Sequence, residues 1–105
     1  QSGLSKGLDI SGNVGDAVLA AGDGDVVYSG SGIQGSGDLI IVRHSDRYLS
    51  AYAHNSRMLV NEGGRVRAGE KIAEVGANSS GVAMLHFEIR EAGDSVDPSR
   101  LLPSK

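Results

Sequence analysis

Val60-Asn-Glu-Gly-Gly-Arg-Val66-Arg-Ala-Gly69-Glu-Lys-Ile72-Ala-Glu-Val75-Gly76 sets its apolar residues between glycine-bearing turns, and this spacing decides the fold. Glycine reaches backbone conformations closed to other residues and weakens helices, so such a chain turns often and forms short strands. The rest of the 105 residues repeats the pattern, with 16 glycines against four aromatics: Tyr28, Tyr48, Tyr52 and Phe87. Strand-sized apolar runs follow at 17–20, 25–29, 38–43, 48–54, 58–60, 71–75 and 84–90, separated by turn residues. The prediction is one all-β domain over residues 1–105, since this length supports one modest core and not two.

Two stretches echo each other. Gly15-Asp-Ala-Val18 leads to Gly24-Asp-Val26, and Gly64-Arg-Val66 leads to Gly69-Glu-Lys-Ile72. A chain folded over on itself in two similar halves produces such an echo. The spacing is similar to the hammerhead hairpins of barrel-sandwich hybrid folds, which implies a duplicated hybrid motif in a two-layer, mainly antiparallel β-sandwich. It also resembles the half-motif of biotinyl and lipoyl carriers. Those carriers present a lysine at a hairpin tip in a short acidic or methionine-flanked motif, a setting that Lys6, Lys71 and Lys105 all lack. Carrier function is therefore not expected.

The formal charge of -3 argues against nucleic acid or an anionic membrane as a partner of this domain. Basic residues do gather in the middle third, where Arg43, Arg47, Arg57, Arg65, Arg67 and Lys71 outnumber Asp46, Glu62 and Glu70. A solvated strand surface accounts for them, and an acidic partner is the alternative. There is no cysteine, hence no disulfide or thiol chemistry, and no apolar run long enough for a bilayer span or a signal segment. The polar opening at Gln1 suggests an excised domain with its targeting segment upstream, and a monomer is expected.

Strand parity sorts the residues able to carry chemistry, because residues two apart face the same side of a sheet. Leu85, Phe87 and Ile89 form an apolar face, leaving Met84, His86, Glu88 and Arg90 opposite. By the same rule Leu49, Ala51 and Ala53 take one side of their strand, and Tyr48, Ser50, Tyr52 and His54 the polar one. Near the start, Ser5, Gly7 and Asp9 share a side if that segment is extended. A groove could then collect Asp9, His54 and His86, a set that permits a zinc site without establishing one. His44, at a strand's end, is expected to be structural.

The combination of Gly7-Leu8-Asp9-Ile10, Tyr52-Ala53-His54, the hairpin from Val66 to Gly76, Leu85-His86-Phe87-Glu88-Ile89 and Val96-Asp97-Pro98 is similar, in order and spacing, to the LytM/lysostaphin-type zinc peptidase domain. The resemblance covers nearly the whole chain. Active members carry His-x-Gly-x-Asp and His-x-His motifs; the first histidine, the aspartate and the last histidine bind zinc, and two further histidines assist the reaction. Carried over, the first metal histidine falls on Ser5, the aspartate on Asp9, an assisting histidine on His54, the other on Met84, and the last metal histidine on His86. Serine is a poor zinc ligand at neutral pH, and methionine can neither accept a proton nor hold an anionic intermediate. The resemblance therefore implies a degenerate peptidase with no catalytic residue, no metal and no cofactor.

Degenerate members of this kind imply a non-catalytic activator of a periplasmic N-acetylmuramoyl-L-alanine amidase, acting in septal peptidoglycan hydrolysis and daughter-cell separation. Peptidoglycan is a further implied partner, and the implied location is the periplasm, tethered to the outer membrane through an upstream lipidated segment. The expected partner-binding groove comprises Lys6, Asp9, Tyr52, His54, Asn55, Met84 and His86. Two rivals are an active zinc endopeptidase, with His54 as substitute ligand, and a plain peptidoglycan-binding module.

Overall fold

The computed structural model describes residues 7–91 and the backbone of a last strand at Asp94–Val96, so Ser5 and Lys6 lie outside the described residues. Within these bounds every regular element is a strand: β1 (Leu8–Ser11), β2 (Ala17–Leu19), β3 (Gly24–Gly30), β4 (Asp38–Arg43), β5 (Tyr48–Met58), β6 (Arg65–Val66), β7 (Lys71–Ala77), β8 (Ala83–Glu91) and β9 (Asp94–Val96). All the ladders are antiparallel. The strand path is β1-β8-β7-β5-β4-β3-β6, with β2 added on β7, β9 on β8, and β8 also beside β5. The apolar run at 58–60 forms no strand of its own, because Met58 closes β5.

One buried cluster draws Val18, Val26, Ile40, Tyr52, Val66, Ile72 and Phe87 from seven different strands, which only a sheet curled over on itself can bring together. The two echoing halves supply the closure. Val18, Val26, Val66 and Ile72 are all at most 1% exposed, and burying each such side chain contributes about 1.5–3 kcal/mol. Their backbones interlock reciprocally: Gly69 N–H donates to Ala20 C=O and Ala20 N–H to Glu70 C=O, while Val26 N–H donates to Gly64 C=O and Gly63 N–H to Val26 C=O, each at 2.8 Å. Neither half satisfies its turns alone.

A polar chain crosses the core beneath β5. His44 Nδ1 lies 2.7 Å from Asp23 C=O, His44 Nε2 lies 2.6 Å from Ser50 Oγ, and Ser50 Oγ lies 2.7 Å from Tyr52 Oη. Ala21 N–H donates to Tyr52 Oη at 2.9 Å. A carbonyl only accepts, so a neutral His44 carries its proton on Nδ1, and the remaining hydroxyl protons then run in one direction from Tyr52 through Ser50 to His44 Nε2. His44 thus ties the turn before β3 to β5 as part of the framework. Of the basic residues in the middle third, Arg43 and Arg65 pair with Asp25, Arg47 with Glu91, and Lys71 with Glu74. These are exposed pairs of small energetic weight, as on a solvated surface.

Candidate functional site

In β8 the predicted alternation holds. Phe87 and Ile89 are buried and Leu85 packs on the core, so Met84, His86, Glu88 and Arg90 share the other face. Residues directly opposite in an antiparallel ladder share a side. Ala53, Ala51 and Leu49 of β5 stand opposite His86, Glu88 and Arg90, and Asp9 of β1 stands opposite His86. Along this face runs a groove of about 320 Å³, floored by Leu39, Ile41, Leu49, Ala51 and Ala53 and walled by His86, Glu88 and Arg90.

The assignment of β5 is thereby corrected. Leu39, Ala51 and Ala53 form a second, smaller buried cluster with Tyr28 and Ile41 packed on it, and this cluster floors the groove, while the Tyr48, Ser50, Tyr52 face, expected to be polar, points into the main core. Tyr52 is 1% exposed, with its ring 5.4 Å from Phe87, and so cannot line the groove. A tyrosine ring buries far more apolar area than an alanine methyl, and the hydroxyl cost vanishes once Ser50 and Ala21 bond to it. Burial raises the Tyr52 pKa, opposed by those two hydrogen bonds. Asn55 is corrected likewise. It is 6% exposed, and its amide N–H groups donate to Asp38 C=O and Tyr52 C=O at 2.9 Å.

His54 nevertheless reaches the groove side despite sharing the parity of Tyr52, because its backbone is left-handed with φ 68°. Its ring stands 6.4 Å from that of His86. Asp9 Oδ1 lies 2.5 Å from His86 Nδ1, and Glu88 Oε2 lies 2.8 Å from His86 Nε2. Glu88 Oε1 accepts from Arg90 Nη2 at 3.2 Å. Carboxylates accept only, so both contacts are hydrogen bonds when His86 is an imidazolium. Met84, one step along β8, receives the Asn78 amide N–H on its thioether sulfur at 3.0 Å. The structure therefore brings Asp9, His54, Met84 and His86 to one face, and excludes Tyr52 and Asn55 from it. The floor residues and the Glu88–Arg90 pair were not among the predicted contacts, although β8 parity already placed those two beside His86.

The two imidazoles are driven apart in acidity. Burial pulls the His86 pKa down, but the hydrogen bonds to Asp9 and Glu88, with their negative charges, outweigh it and leave it above 6.5. Burial pulls the His54 pKa below 6.5; the charge of His86 adds to this and Asp9 opposes it. By linkage, the raised His86 contributes stability that is complete below pH 6.5 and lost as pH climbs through its folded pKa. The lowered His54 contributes stability present above pH 6.5 and lost as pH falls through its own. Imidazole NMR titration should place His86 above and His54 below 6.5, and Asp9→Asn should bring His86 down. Equal midpoints in the unsubstituted chain would refute this wiring.

A curled antiparallel sheet with a groove between a histidine-bearing strand and its neighbours is the fold of M23 peptidases, and the chain belongs to peptidase family M23, whose model matches residues 3–98. It is 52% identical over 103 residues to the murein hydrolase activator NlpD of Escherichia coli, covering 98% of this chain and 27% of that protein. It is 51% identical over 102 residues to the lipoprotein NlpD/LppB homolog of Pseudomonas aeruginosa, covering 97% of this chain and 34% of that protein. The chain thus spans about a third or less of these curated relatives. The catalytic domain of the antimicrobial peptidase lysostaphin from Staphylococcus simulans superposes with a TM-score of 0.88 at 29% identity, covering 97% of this chain and 81% of that one.

The family implies zinc, and the donors here do not fit it. Of the three positions that would hold the ion, Asp9 and His86 keep donors of the right kind, but position 5 is serine, a poor zinc ligand at neutral pH. Among the described residues no group of three or more His, Cys, Asp or Glu side chains is placed to hold an ion. The sequence puts serine at position 5 and methionine at position 84. The groove itself has an apolar floor, largely of small side chains, and a charged wall.

Proposed function

We propose that this domain cuts nothing and instead switches on a cell-wall hydrolase, a periplasmic N-acetylmuramoyl-L-alanine amidase whose regulatory segment docks in the groove. What supports this is the sequence: by the family resemblance Ser5 and Met84 fall where active members carry a metal histidine and an assisting histidine. Similarity to relatives named murein hydrolase activator, lipoprotein and outer membrane antigenic lipoprotein supports the role, and supports an envelope location with an outer-membrane lipid tether. Asp9, His54, Met84 and His86 are the contact residues in this scheme, with Lys6, which precedes Asp9 in sequence, as a further one.

Activation is a population shift, so the domain must bind the open amidase more tightly than the closed one. Each tenfold stimulation requires about 1.4 kcal/mol of that preference. Amidase, domain and dye-labelled peptidoglycan mixed in all combinations provide the test. The domain alone should release no dye, and should raise release by the amidase at least tenfold. Chelator-sensitive release by the domain alone would make it a zinc endopeptidase. Sedimentation with peptidoglycan and no effect on the amidase would make it a binding module.

A further inference from the structure

The strand that carries His54 breaks register there, against β4 on one side and β7 on the other. Between β4 and β5, Asp38 pairs with Asn55 but Ile40 with Tyr52, so Ala53 and His54 together oppose the single residue Leu39. Between β5 and β7, Asn55 pairs with Val75 but Arg57 with Glu74, so a second residue is extra at Ser56. His54 is a bulge residue in the left-handed region, the position such bulges normally give to glycine. It is the only non-glycine residue with positive φ among the described residues. A side chain pays strain there that glycine escapes.

Three neighbours hold that conformation. Ser36 C=O accepts from His54 N–H at 3.0 Å. Gly37, itself left-handed at φ 61°, lies against the imidazole, where an added Cβ would sit 3.6 Å from both Cα and Nδ1 of His54. Gly76 lies beneath the bulge: a Cβ there would fall 2.5 Å from His54 C=O and 2.7 Å from Ser56 N. Next door, Asn55 Oδ1 is buried with no hydrogen-bond partner, a further cost at the same spot. A regular strand would send the His54 side chain to the core side, with Ser50 and Tyr52. The bulge sends it to the side of His86, at the edge of the groove.

We propose that Gly37 and Gly76 are positioning residues, which keep β5 bulged so that His54 faces the docking partner; the inference rests on the activator role argued above. Strain retained at a histidine, where glycine would fold at less cost, marks the imidazole as the part that is used. Neither glycine touches the partner in this scheme. Their effect passes through the direction of one side chain.

Two sets of variants test this, one of them without any partner. At an ordinary strand position alanine is the more stabilising residue, and at a left-handed one glycine is, so His54→Gly should melt about 4 °C above His54→Ala. His54→Asn, which tolerates the conformation, should melt with His54→Gly or above it. Both His54→Gly and His54→Ala should lose at least tenfold in amidase stimulation. Gly37→Ala should shift the His54 ring resonances and lower stimulation with the imidazole still present, and Gly76→Ala should do the same wherever it folds. His54→Ala outmelting His54→Gly, or His54 resonances unmoved by Gly37→Ala, would overturn the proposal. The melting and NMR readings need no amidase, so absence of stimulation in every variant and in the unsubstituted chain would count against the activator role alone.

Discussion

Tyr52→Ala should cost this domain about 3–5 kcal/mol, within the range for deleting a large buried ring. Total stabilities run about 5–15 kcal/mol, so a large part of the folded population is at stake. The ring packs against Phe87 inside the main cluster, and its hydroxyl closes the chain from His44 through Ser50 to the Ala21 amide. Tyr52→Phe separates the two contributions. It keeps the packing and leaves the Ala21 N–H without its acceptor, for about 1–3 kcal/mol. Urea unfolding of the three proteins is the measurement. A loss below about 0.5 kcal/mol for the alanine variant is the signature of a surface residue and would return Tyr52 to the groove.

Placing arginine on the groove floor should abolish activation, at a cost in stability because Ala51 is 8% exposed and clusters with Leu39 and Ala53. Ala51 lies opposite Glu88 and between Ala53 and Leu49 along the floor. An arginine there fills the depression, yet its long stem can carry the charge outward to water or to Glu88. A partner excluded from the floor loses its central contacts, where binding energy concentrates. The expected loss of stimulation is at least 100-fold, equivalent to about 2.7 kcal/mol. Met84→Lys should act in the same direction from the end of the row. Circular dichroism and melting establish that each variant is folded, and undiminished stimulation by folded Ala51→Arg would place the docking surface elsewhere.

The all-β class, the glycine-punctuated halves and the face of β8 were all legible in the sequence. Each rests on a strong local signal: turn glycines, or the Leu85, Phe87, Ile89 alternation. Strand β5 was not legible, for a physical reason. Counting apolar residues ranks Leu49, Ala51 and Ala53 above Tyr48, Ser50 and Tyr52, but the core selects buried area and satisfied hydroxyls. The partners that make Tyr52 cheap to bury are the Ala21 N–H, which donates to its Oη from a distant part of the chain, and Ser50 Oγ, itself bonded to His44. The inversion at His54 was equally hidden, since Tyr-Ala-His contains no glycine to announce a bulge. Asn55 was expected in the groove, but its amide is used on the carbonyls of Asp38 and Tyr52.

The reciprocal interlock of the halves bears on how the chain reaches its native state. The turn at residue 20 waits for partners at residues 69 and 70, and the strand at residue 26 for those at 63 and 64. A ribosome or export channel delivering the polypeptide from its N-terminus releases the first repeat before anything can close upon it. Distant closures of this kind slow folding, because loop entropy is spent before contacts repay it. During that interval Val18 and Val26 stay open to other chains, and the newly made domain is at its most vulnerable to aggregation.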